Sequence, residues 1–171
     1  AGPSLEKIDP VRFISNFSTG RQGYEIANSL AAFGAKTILI SGPTNIEAAK
    51  NVEVIEVISG KEFLQHSIDN LPCDIFISVA AISDWRIKKT QKNKIKKNNI
   101  RDIEFILNDD VLKNISSHKK KPKLVIGFSA ETKNLLKNTK KKLIEKGCDW
   151  ILANEVTDDN AFLSDKNKIY F

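Results

Sequence analysis

Short apolar runs of strand length alternate along this chain with segments of helical periodicity. A helix is predicted between Gly20 and Gly34, because apolar residues recur there at helical spacing and Gly34 supplies a C-terminal stop. Strand-like runs follow at residues 36–41 and 52–58, and a capping-box pattern at residues 59–62 precedes the next helix. This alternation predicts a parallel, doubly wound α/β sandwich with right-handed crossovers.

The second half of the chain continues the pattern. The apolar run of residues 74–81 predicts a central strand that is covered on both faces. Further strands are predicted at residues 103–106, 123–128 and 149–154, with a possible edge strand at 168–171.

Two more helices are predicted between these strands. Asn108, Asp109 and Asp110 supply an N-cap and an acidic first turn for the shorter one. The longer helix is predicted from about Glu131 to Lys146, with Gly147 as its stop. Its inward-facing residues are predicted to be Leu135, Leu136, Thr139, Leu143 and Ile144.

The composition is that of an ordinary globular protein, with 41% hydrophobic and 28% charged residues. A length of 171 residues suits one core, so a single domain over residues 1–171 is expected. No apolar run approaches the roughly 20 residues that span a bilayer, and there is no signal pattern, so we predict a cytoplasmic protein without a membrane partner. Because the chain lacks methionine and opens with the turn-like residues 1–4, we expect an upstream segment and a first strand to be missing.

The cysteines and histidines give no strong sign of chemistry. Cys73 and Cys148 each precede a strand-like run, where a small buried side chain fits; a disulfide or a thiol nucleophile is the alternative. His66 and His118 lie far apart and lack a partner at ligand spacing, so a zinc site is not expected. The net charge of +6 suits either nucleic acid or a small polyphosphorylated ligand.

In a doubly wound fold, ligands bind beyond the carboxyl ends of the strands. Residues 16–23 lie just before the first helix, where free N–H groups favour an anion, although a hydroxyl-rich helix cap is the alternative. Arg12 and Asn16 could hold a carboxylate or phosphate, or could simply bind backbone. Asp84 could bind a base or a cation, or cap a loop, and Phe128 could stack on a ring or belong to the core.

Lysines are concentrated in residues 84–102, which contain too few apolar residues to be buried and are predicted to form a long loop. The run at residues 94–97 could close over a triphosphate and neutralise its charge, although a solvated surface is the alternative. Lys142 and Lys146 share a helix face, where a bound anion would relieve their repulsion; Glu145 or solvent could also do so.

These segments, in this order, resemble the bacterial phosphopantothenoylcysteine synthetase family over nearly the whole chain. The Asp-Pro-Val-Arg-x-Ile-Ser-Asn string and the Lys-x-Lys-Lys run are highly specific together, and neither suffices alone. The resembling stretches are residues 2–3, 8–16, 41–43, 80–86, 94–97, 127–132 and 153–156.

The resemblance implies a Rossmann-like fold and a CTP-dependent ligase that joins 4′-phosphopantothenate to L-cysteine. The carboxylate would attack the α-phosphate of CTP in the presence of Mg²⁺ and release pyrophosphate. The cysteine amine would then attack the acyl-cytidylate and release CMP. The family is dimeric with sites at the subunit interface, and its N-terminal partner domain is a flavin-dependent decarboxylase, so the resemblance implies a homodimer and places FMN outside this chain.

The resemblance also implies site residues, although it implies no metal ligands. It assigns catalytic roles to Asn16 and Lys94, and binding of phosphopantothenate to Arg12, Asn16 and Ala81. The positions that match the CTP site are Ser78, Val79, Ala80, Asp84, Lys94, Asp109, Asp110, Val111, Leu112, Phe128, Lys142 and Lys146.

The sequence departs from the family at three places, where Asp109 replaces Pro, Trp85 replaces Tyr, and residues 21–22 replace Lys-Met. Asp109 would add a negative charge near the triphosphate.

Two other functions are alternatives to the ligase. A nicotinamide-dependent oxidoreductase would need a glycine-rich fingerprint and an acidic residue at the position of Ser41. A nucleic-acid-binding module would need aromatic residues among the lysines, so no nucleic-acid partner is expected.

Overall fold

The computed structural model describes residues 1–96, 103–155 and 169–171. The chain divides into two compact units, Ala1–His66 with Ala80–Asp109 (the first unit) and Ser67–Val79 with Asp110–Phe171 (the second unit). Both units contain parallel strand pairs, which confirms the α/β class. The doubly wound arrangement and the single domain stay predictions.

Ten strands and four helices are formed by the described residues. In chain order they are β1 (Glu6–Lys7), β2 (Phe13–Ile14), α1 (Arg21–Ala32), β3 (Thr37–Ser41), β4 (Val52–Glu56), α2 (Gly60–Asp69), β5 (Ile75–Ser78), β6 (Trp85–Ile87), β7 (Phe105–Leu107), α3 (Val111–Ser116), β8 (Leu124–Glu131), α4 (Leu135–Lys146), β9 (Trp150–Glu155) and β10 (Ile169–Tyr170).

In the first unit, α1 packs against the parallel pair β3 and β4. Gly23, Ala27 and Ala31, which lie four residues apart on one face of α1, are all buried. These small side chains let the helix approach the strands closely, and a buried cluster joins the helix to Leu39 and Val52. The strands β1 and β2 form an antiparallel pair, as do β6 and β7.

The opening residues of the chain are paired backbone in the first unit. The amino group of Ala1 donates to the carbonyl of Ile40 at 2.5 Å, and the N–H of Gly42 donates to the carbonyl of Ala1 at 2.9 Å. Pro3 then forms a parallel bridge with Ala81. The turn predicted at residues 1–4 is therefore replaced by strand-like pairing up to Pro3.

The second unit is built on a sheet whose strand order is β10-β9-β8-β5. The strands β5, β8 and β9 are parallel, and β10 is the antiparallel edge strand that the sequence predicts. Ile115 of α3 and Val125 of β8 are fully buried. Full burial of an aliphatic side chain of this size contributes roughly 1.5–3 kcal/mol.

Three sequence predictions need correction. The predicted loop is wrong for Trp85–Ile87, because this segment pairs with Phe105–Leu107. The long helix begins later than predicted, because β8 continues to pair with β9 as far as Glu131. The predicted strand at 74–81 is confirmed at Ile75–Ser78, but among the described residues it ends the sheet instead of lying at its centre, and Ile75 is 48% exposed and so is not covered on both faces.

The inward face of α4 is also narrower than predicted. Thr139 is buried, and Leu135 and Leu143, four residues to either side, are half-buried on the same face. Leu136 and Ile144 are 62% and 80% exposed, so the prediction that they face inward is wrong. Ile144 lies five residues after Thr139, which turns it away from the buried face, whereas Leu136 lies three residues before Thr139, at the margin of that face.

Candidate functional site

In the first unit, the side chain of Arg12 is held by a buried carboxylate. The Asp9 side chain is fully buried, and its Oδ2 accepts hydrogen bonds from Arg12 Nε at 3.1 Å and Nη2 at 2.6 Å. Its Oδ1 accepts from the backbone N–H groups of Val11 and Arg12, both at 2.9 Å. The hydrogen bond from Arg12, more than any other contact, holds the pKa of Asp9 well below its ordinary value. Asp9 is therefore ionised at neutral pH.

Arg12 keeps donors for a ligand in this arrangement. Its Nη2 also donates to the carbonyl of Ile95 at 3.0 Å, so that Nε and Nη2 are both engaged. Among the described residues no acceptor is recorded for Nη1, and the residue is half-buried rather than enclosed. Two N–H groups of the guanidinium are thus left to meet a carboxylate or a phosphate.

Asn16 and Ala81, which the resemblance predicts as substrate-binding residues, are hydrogen-bonded to each other. Asn16 Nδ2 donates to the carbonyl of Ala81 at 2.7 Å, and its Oδ1 accepts from the N–H of Ser18 at 3.1 Å. The same carbonyl accepts from the N–H of Ser4 at 3.1 Å. One amide hydrogen and one oxygen lone pair of Asn16 remain for a substrate acyl group or amide.

The lysine segment, residues 94–96, is fixed at its centre. The N–H of Ile95 donates to Asp9 Oδ2 at 3.0 Å, and its carbonyl accepts from Arg12. Lys94 and Lys96 on either side are exposed. The structure therefore brings the backbone of Lys94 next to Arg12, while Lys97 of the predicted flap lies outside the described residues.

The other predicted residues of the first unit follow strands. Ala80 is half-buried, and Asp84 and Asp109 are exposed. The carbonyl of Asp84 accepts from the N–H of Asn108 at 2.8 Å, so the backbone is fixed while the carboxylate faces solvent. This bond continues the pairing of β6 with β7, and the roles predicted for the Asp84 side chain stay predictions.

The start of α1 has a left-handed backbone conformation that neighbouring protein atoms crowd. Gly20, its N-cap, has φ of 81°, and a Cβ placed there would lie 2.7 Å from the Thr44 methyl group. Only glycine fits this left-handed, crowded position. The hydroxyl oxygens of Ser18 and Thr19 accept long hydrogen bonds of 3.4 Å from the N–H groups of Gly20 and Arg21. The anion site at this helix start stays a prediction.

In the second unit, several residues predicted to bind CTP lie at the start of α3 and at the end of β5. Asp110 caps α3 and accepts from the N–H of Lys113 at 2.9 Å, as the sequence predicts, but the predicted acidic first turn is wrong, because α3 begins at Val111 and its first turn contains no acidic residue. Val111 and Leu112 are buried, so any contact with a nucleotide would involve their backbone. The remaining residues of this set, Ser78, Val79 and Phe128, are half-buried.

Two residues predicted to bind CTP form an ion pair in the second unit. Lys146 Nζ, from the last turn of α4, donates to Asp110 Oδ2. Glu145 pairs with Lys141 at 3.5 Å. An ammonium group has three donors, so Lys146 can hold Asp110 and still meet an anion.

The sequence alone did not indicate a role for Asp9 or Gly127. Asp9 stands in the recognised string, but its burial depends on Ile95, which is 86 residues away. A Cβ at Gly127 would lie 2.6 Å from Leu112 Cδ2, so the glycine lets α3 lie close over β8. The only signal in the sequence was that both residues belong to resembling stretches.

The thiols fit the structural interpretation. Cys148 is buried, Cys73 is half-buried, and both are free. Burial raises the pKa of each thiol, which disfavours the thiolate that a nucleophile requires. Within residues 1–96, 103–155 and 169–171 there is no cluster of three side chains that could ligate a metal, and no helix long and apolar enough to cross a membrane.

A surface recess in the first unit lies among residues that the sequence did not predict to bind ligands. Its volume is about 510 Å³, and it is lined by Ile87, Lys88, Lys89, Gln91, Ile103 and Glu104. Lys88 and Glu104 pair at 3.0 Å but are 59% and 61% exposed, so this pair contributes little to stability. We assign the recess no role in binding.

Comparison with known proteins gives a consistent family. A family model described as "DNA/pantothenate metabolism flavoprotein C-terminal domain" matches residues 1–171. The coenzyme A biosynthesis bifunctional protein CoaBC of Haemophilus influenzae is 40% identical over 171 residues, which cover 99% of this chain and 43% of the relative. A cysteine/cysteine sulfinic acid decarboxylase of an unknown prokaryotic organism is 37% identical over 99% of this chain and 48% of its own length. The chain thus spans less than half the length of these relatives.

Solved structures agree on the fold. The crystal structure of the C-terminal domain of a CoaBC protein has a TM-score of 0.79 and 40% identity, and covers 91% of this chain and 74% of that one. The DNA/pantothenate metabolism flavoprotein from Streptococcus pneumoniae has a TM-score of 0.78 at 20% identity, over 99% of this chain and 89% of its own. The second likeness concerns the fold alone.

Proposed function

Because the chain belongs to the family of the DNA/pantothenate metabolism flavoprotein C-terminal domain, we propose that it joins 4′-phosphopantothenate to L-cysteine at the expense of CTP. The name of the CoaBC relatives places them in coenzyme A biosynthesis. The observation that most strongly supports the proposal is the meeting of Asn16 with Ala81 and of Arg12 with the lysine segment in one unit.

The reaction has two steps. In the first, a carboxylate oxygen of phosphopantothenate forms a bond to the α-phosphorus of CTP, and the bond to pyrophosphate breaks. In the second, the cysteine amine forms a bond to the acyl carbon, loses a proton, and displaces CMP. Cationic groups lower the barrier of the first step, because negative charge moves onto the departing pyrophosphate.

The residues of the first unit suit the acyl part of this chemistry. The free donors of Arg12 can hold an anionic group of phosphopantothenate. The unused amide hydrogen of Asn16 can hold the acyl oxygen of the acyl-cytidylate, because Ala81 and Ser18 fix the orientation of the amide. Lys94, exposed beside the fixed Ile95, is proposed to neutralise the phosphates.

The residues of the second unit are proposed to hold the nucleotide. Lys142 and Lys146 supply positive charge, and Lys146 is already oriented by its ion pair with Asp110. Phe128, half-buried in β8, offers a ring face. Backbone groups of Ser78 and Val79 at the end of β5 can read the edge of the base, since ligands approach the carboxyl ends of parallel strands.

Mg²⁺ is proposed to arrive with CTP. The chemistry of the described donors, isolated carboxylates among many lysines, fits a metal held mainly by phosphate oxygens, and we assign it no protein ligands. When bound, it would neutralise phosphate charge. FMN is proposed to belong to another part of such proteins, and the location is proposed to be the cytoplasm, where nucleoside triphosphates are made.

We further propose a homodimer. On the paired strands β6 and β7, Trp85 and Leu107 lie opposite each other and are 58% and 72% exposed, and Phe105 is 56% exposed. An exposed apolar face of this kind marks an interaction surface. A second copy of the chain is the proposed partner, in keeping with the dimeric family that the sequence resembles.

The proposal is tested by mixing the protein with phosphopantothenate, L-cysteine, Mg²⁺ and one nucleoside triphosphate at a time, and by measuring pyrophosphate. We expect release with CTP that requires phosphopantothenate. Lys94→Ala should lower the rate by about 10²–10³-fold if Lys94 stabilises the transition state. Lys88→Ala, which removes an exposed lysine of the same unit, is the matched control and should leave the rate unchanged. Absence of CTP-dependent release would refute the proposal.

A further inference from the structure

The buried carboxylate of Asp9 joins two segments that are far apart in the sequence. The Oδ1 atom of Asp9 accepts hydrogen bonds within the local turn, from the N–H groups of Val11 and Arg12. Its Oδ2 accepts from the Arg12 guanidinium and from the N–H of Ile95. The two oxygens therefore have different tasks.

Two further hydrogen bonds join the residues before Ile95 to the residues just before Asp9. The N–H of Gln91 donates to the carbonyl of Ile8 at 3.0 Å, and Thr90 Oγ1 donates to the carbonyl of Lys7 at 3.3 Å. These bonds are ordinary backbone and hydroxyl contacts near the surface. Within the described residues, Ile95 is the point at which this segment is bound to a buried charge.

A fully buried carboxylate is costly unless every lone pair is used. A turn alone needs only Oδ1, so the turn does not explain why Oδ2 is buried with three further donors. All three donors belong either to Arg12, the proposed substrate-binding residue, or to the peptide between Lys94 and Lys96. The carboxylate thus sets the relative position of these two parts of the first unit.

We infer that Asp9 is a positioning residue for the ligase reaction. It fixes the position of the lysine segment relative to Arg12, and so keeps Lys94 near this proposed substrate-binding residue. The inference rests on the proposed function. Asp9 itself contacts no reacting atom; it acts through the guanidinium of Arg12 and the backbone of Ile95. Removal of its charge releases both partners together.

Asp9→Asn tests this role selectively. The amide keeps an oxygen for the turn but presents an NH₂ group to the Arg12 and Ile95 donors, which repels them. Limited trypsin digestion under native conditions, followed by mass spectrometry, measures how freely the chain opens after Lys96. We expect cleavage there to be faster by about tenfold, the factor that corresponds to the loss of one charge-assisted hydrogen bond. Melting followed by circular dichroism verifies that the variant is folded.

The same variant is assayed for CTP-dependent pyrophosphate release at saturating nucleotide. We expect the rate to fall, because Lys94 and Arg12 no longer hold their relative position. Glu104→Gln is the matched control, since it removes an exposed carboxylate of the same unit that pairs with Lys88. It should change neither the cleavage after Lys96 nor the rate.

Ile95→Pro gives a second test that leaves the Asp9–Arg12 ion pair intact. Proline removes the N–H that donates to Asp9, so cleavage after Lys96 should again be faster. This variant serves if Asp9→Asn fails to fold. Equal cleavage rates in the wild type and a folded variant would overturn the anchoring role, and faster cleavage with an unchanged pyrophosphate rate would overturn the positioning role.

The two proposals fail in different ways. If the wild type releases no pyrophosphate with CTP, the proposed ligase function fails, while the cleavage experiment still measures the anchoring of Ile95. If the wild type is active and Asp9→Asn retains its full rate, the ligase function stands and the inference about Asp9 is wrong.

Discussion

Asp149 holds together the starts of two neighbouring strands in the second unit. Its Oδ2 accepts from the N–H of Val125 at 2.7 Å, and its Oδ1 accepts from Lys121 Nζ at 3.0 Å. The hydrogen bond from Lys121, followed by that from Val125, lowers the pKa of Asp149. The ionised carboxylate therefore favours the folded state.

This pKa shift predicts a dependence of stability on pH. A carboxylate whose pKa is lower in the folded state stabilises the fold fully above its unfolded pKa of about 3.9, and this contribution is lost as the pH falls through the folded value. The difference in free energy of unfolding between the wild type and Asp149→Asn, measured in urea, should be constant above about pH 5 and shrink below about pH 4.

Asp74→Asn is the matched comparison for Asp149→Asn. The pKa of Asp74 is also lowered, first by its hydrogen bond from Lys123, but the two side chains are 80% and 85% exposed. Solvent screens such a pair, so its removal should change stability less. A difference for Asp149→Asn that grows as the pH falls would contradict the assignment.

At the scale of single residues, the sequence predicted which side chains follow strands but not which atoms meet. Asn16 and Ala81 were both predicted as substrate-binding residues, yet their hydrogen bond spans 65 residues of sequence. Asp9 was overlooked for a similar reason. An aspartate before a proline is typical of a turn, and only the folded chain brings the N–H of Ile95 to its second oxygen.

At the scale of elements, the contact of α3 with β8 depends on one missing side chain. Gly127 of β8 faces Leu112 of α3, and a Cβ would lie 2.6 Å from its Cδ2. Leu112 is buried, so the strand and helix approach each other as closely as a glycine allows. This contact also fixes the start of α3, where Asp110 and the proposed nucleotide site lie.

Gly127→Ala should lower the free energy of unfolding by about 1–3 kcal/mol, because the methyl group overpacks this contact. Leu112→Ala alone should cost about 2–5 kcal/mol through the cavity that it leaves. In the double variant the added methyl group no longer contacts a leucine side chain. Its loss in free energy of unfolding should therefore be smaller than the sum of the losses in the two single variants. Urea unfolding of the four proteins measures this coupling, and strictly additive costs would contradict the proposed contact.

Elements with strong local signals were predicted well. The capping box before α2 is present, since Ser59 Oγ accepts from the N–H of Glu62 and the Glu62 carboxylate accepts from the N–H of Ser59, both at 3.3 Å. Elements that depend on distant pairing were predicted poorly. Trp85–Ile87 is a strand because Phe105–Leu107 pairs with it, and local composition in a lysine-rich segment carries no sign of that partner.

At the scale of the whole molecule, the order of strands and helices predicted the α/β class because each element has its own periodicity. The sequence did not indicate the division into two units, because that division depends on contacts between residues that are distant in the sequence. Val79 and Ala80 are neighbours in the predicted strand, yet they belong to different units, so the predicted CTP residues are divided between the two units. The proposed homodimer likewise depends on a surface, that of β6 and β7, which exists only after folding.

The proposed ligase makes and then consumes an acyl-cytidylate, and Asn16 is proposed to be required for the second step. Mass spectrometry of the products formed by the wild type and by Asn16→Ala, with phosphopantothenate, CTP, Mg²⁺ and L-cysteine, tests it most directly. We predict amide product and CMP from the wild type, and pyrophosphate with accumulated acyl-cytidylate but little amide from Asn16→Ala. Normal amide formation by Asn16→Ala, or no acyl-cytidylate chemistry in either protein, would contradict the claim.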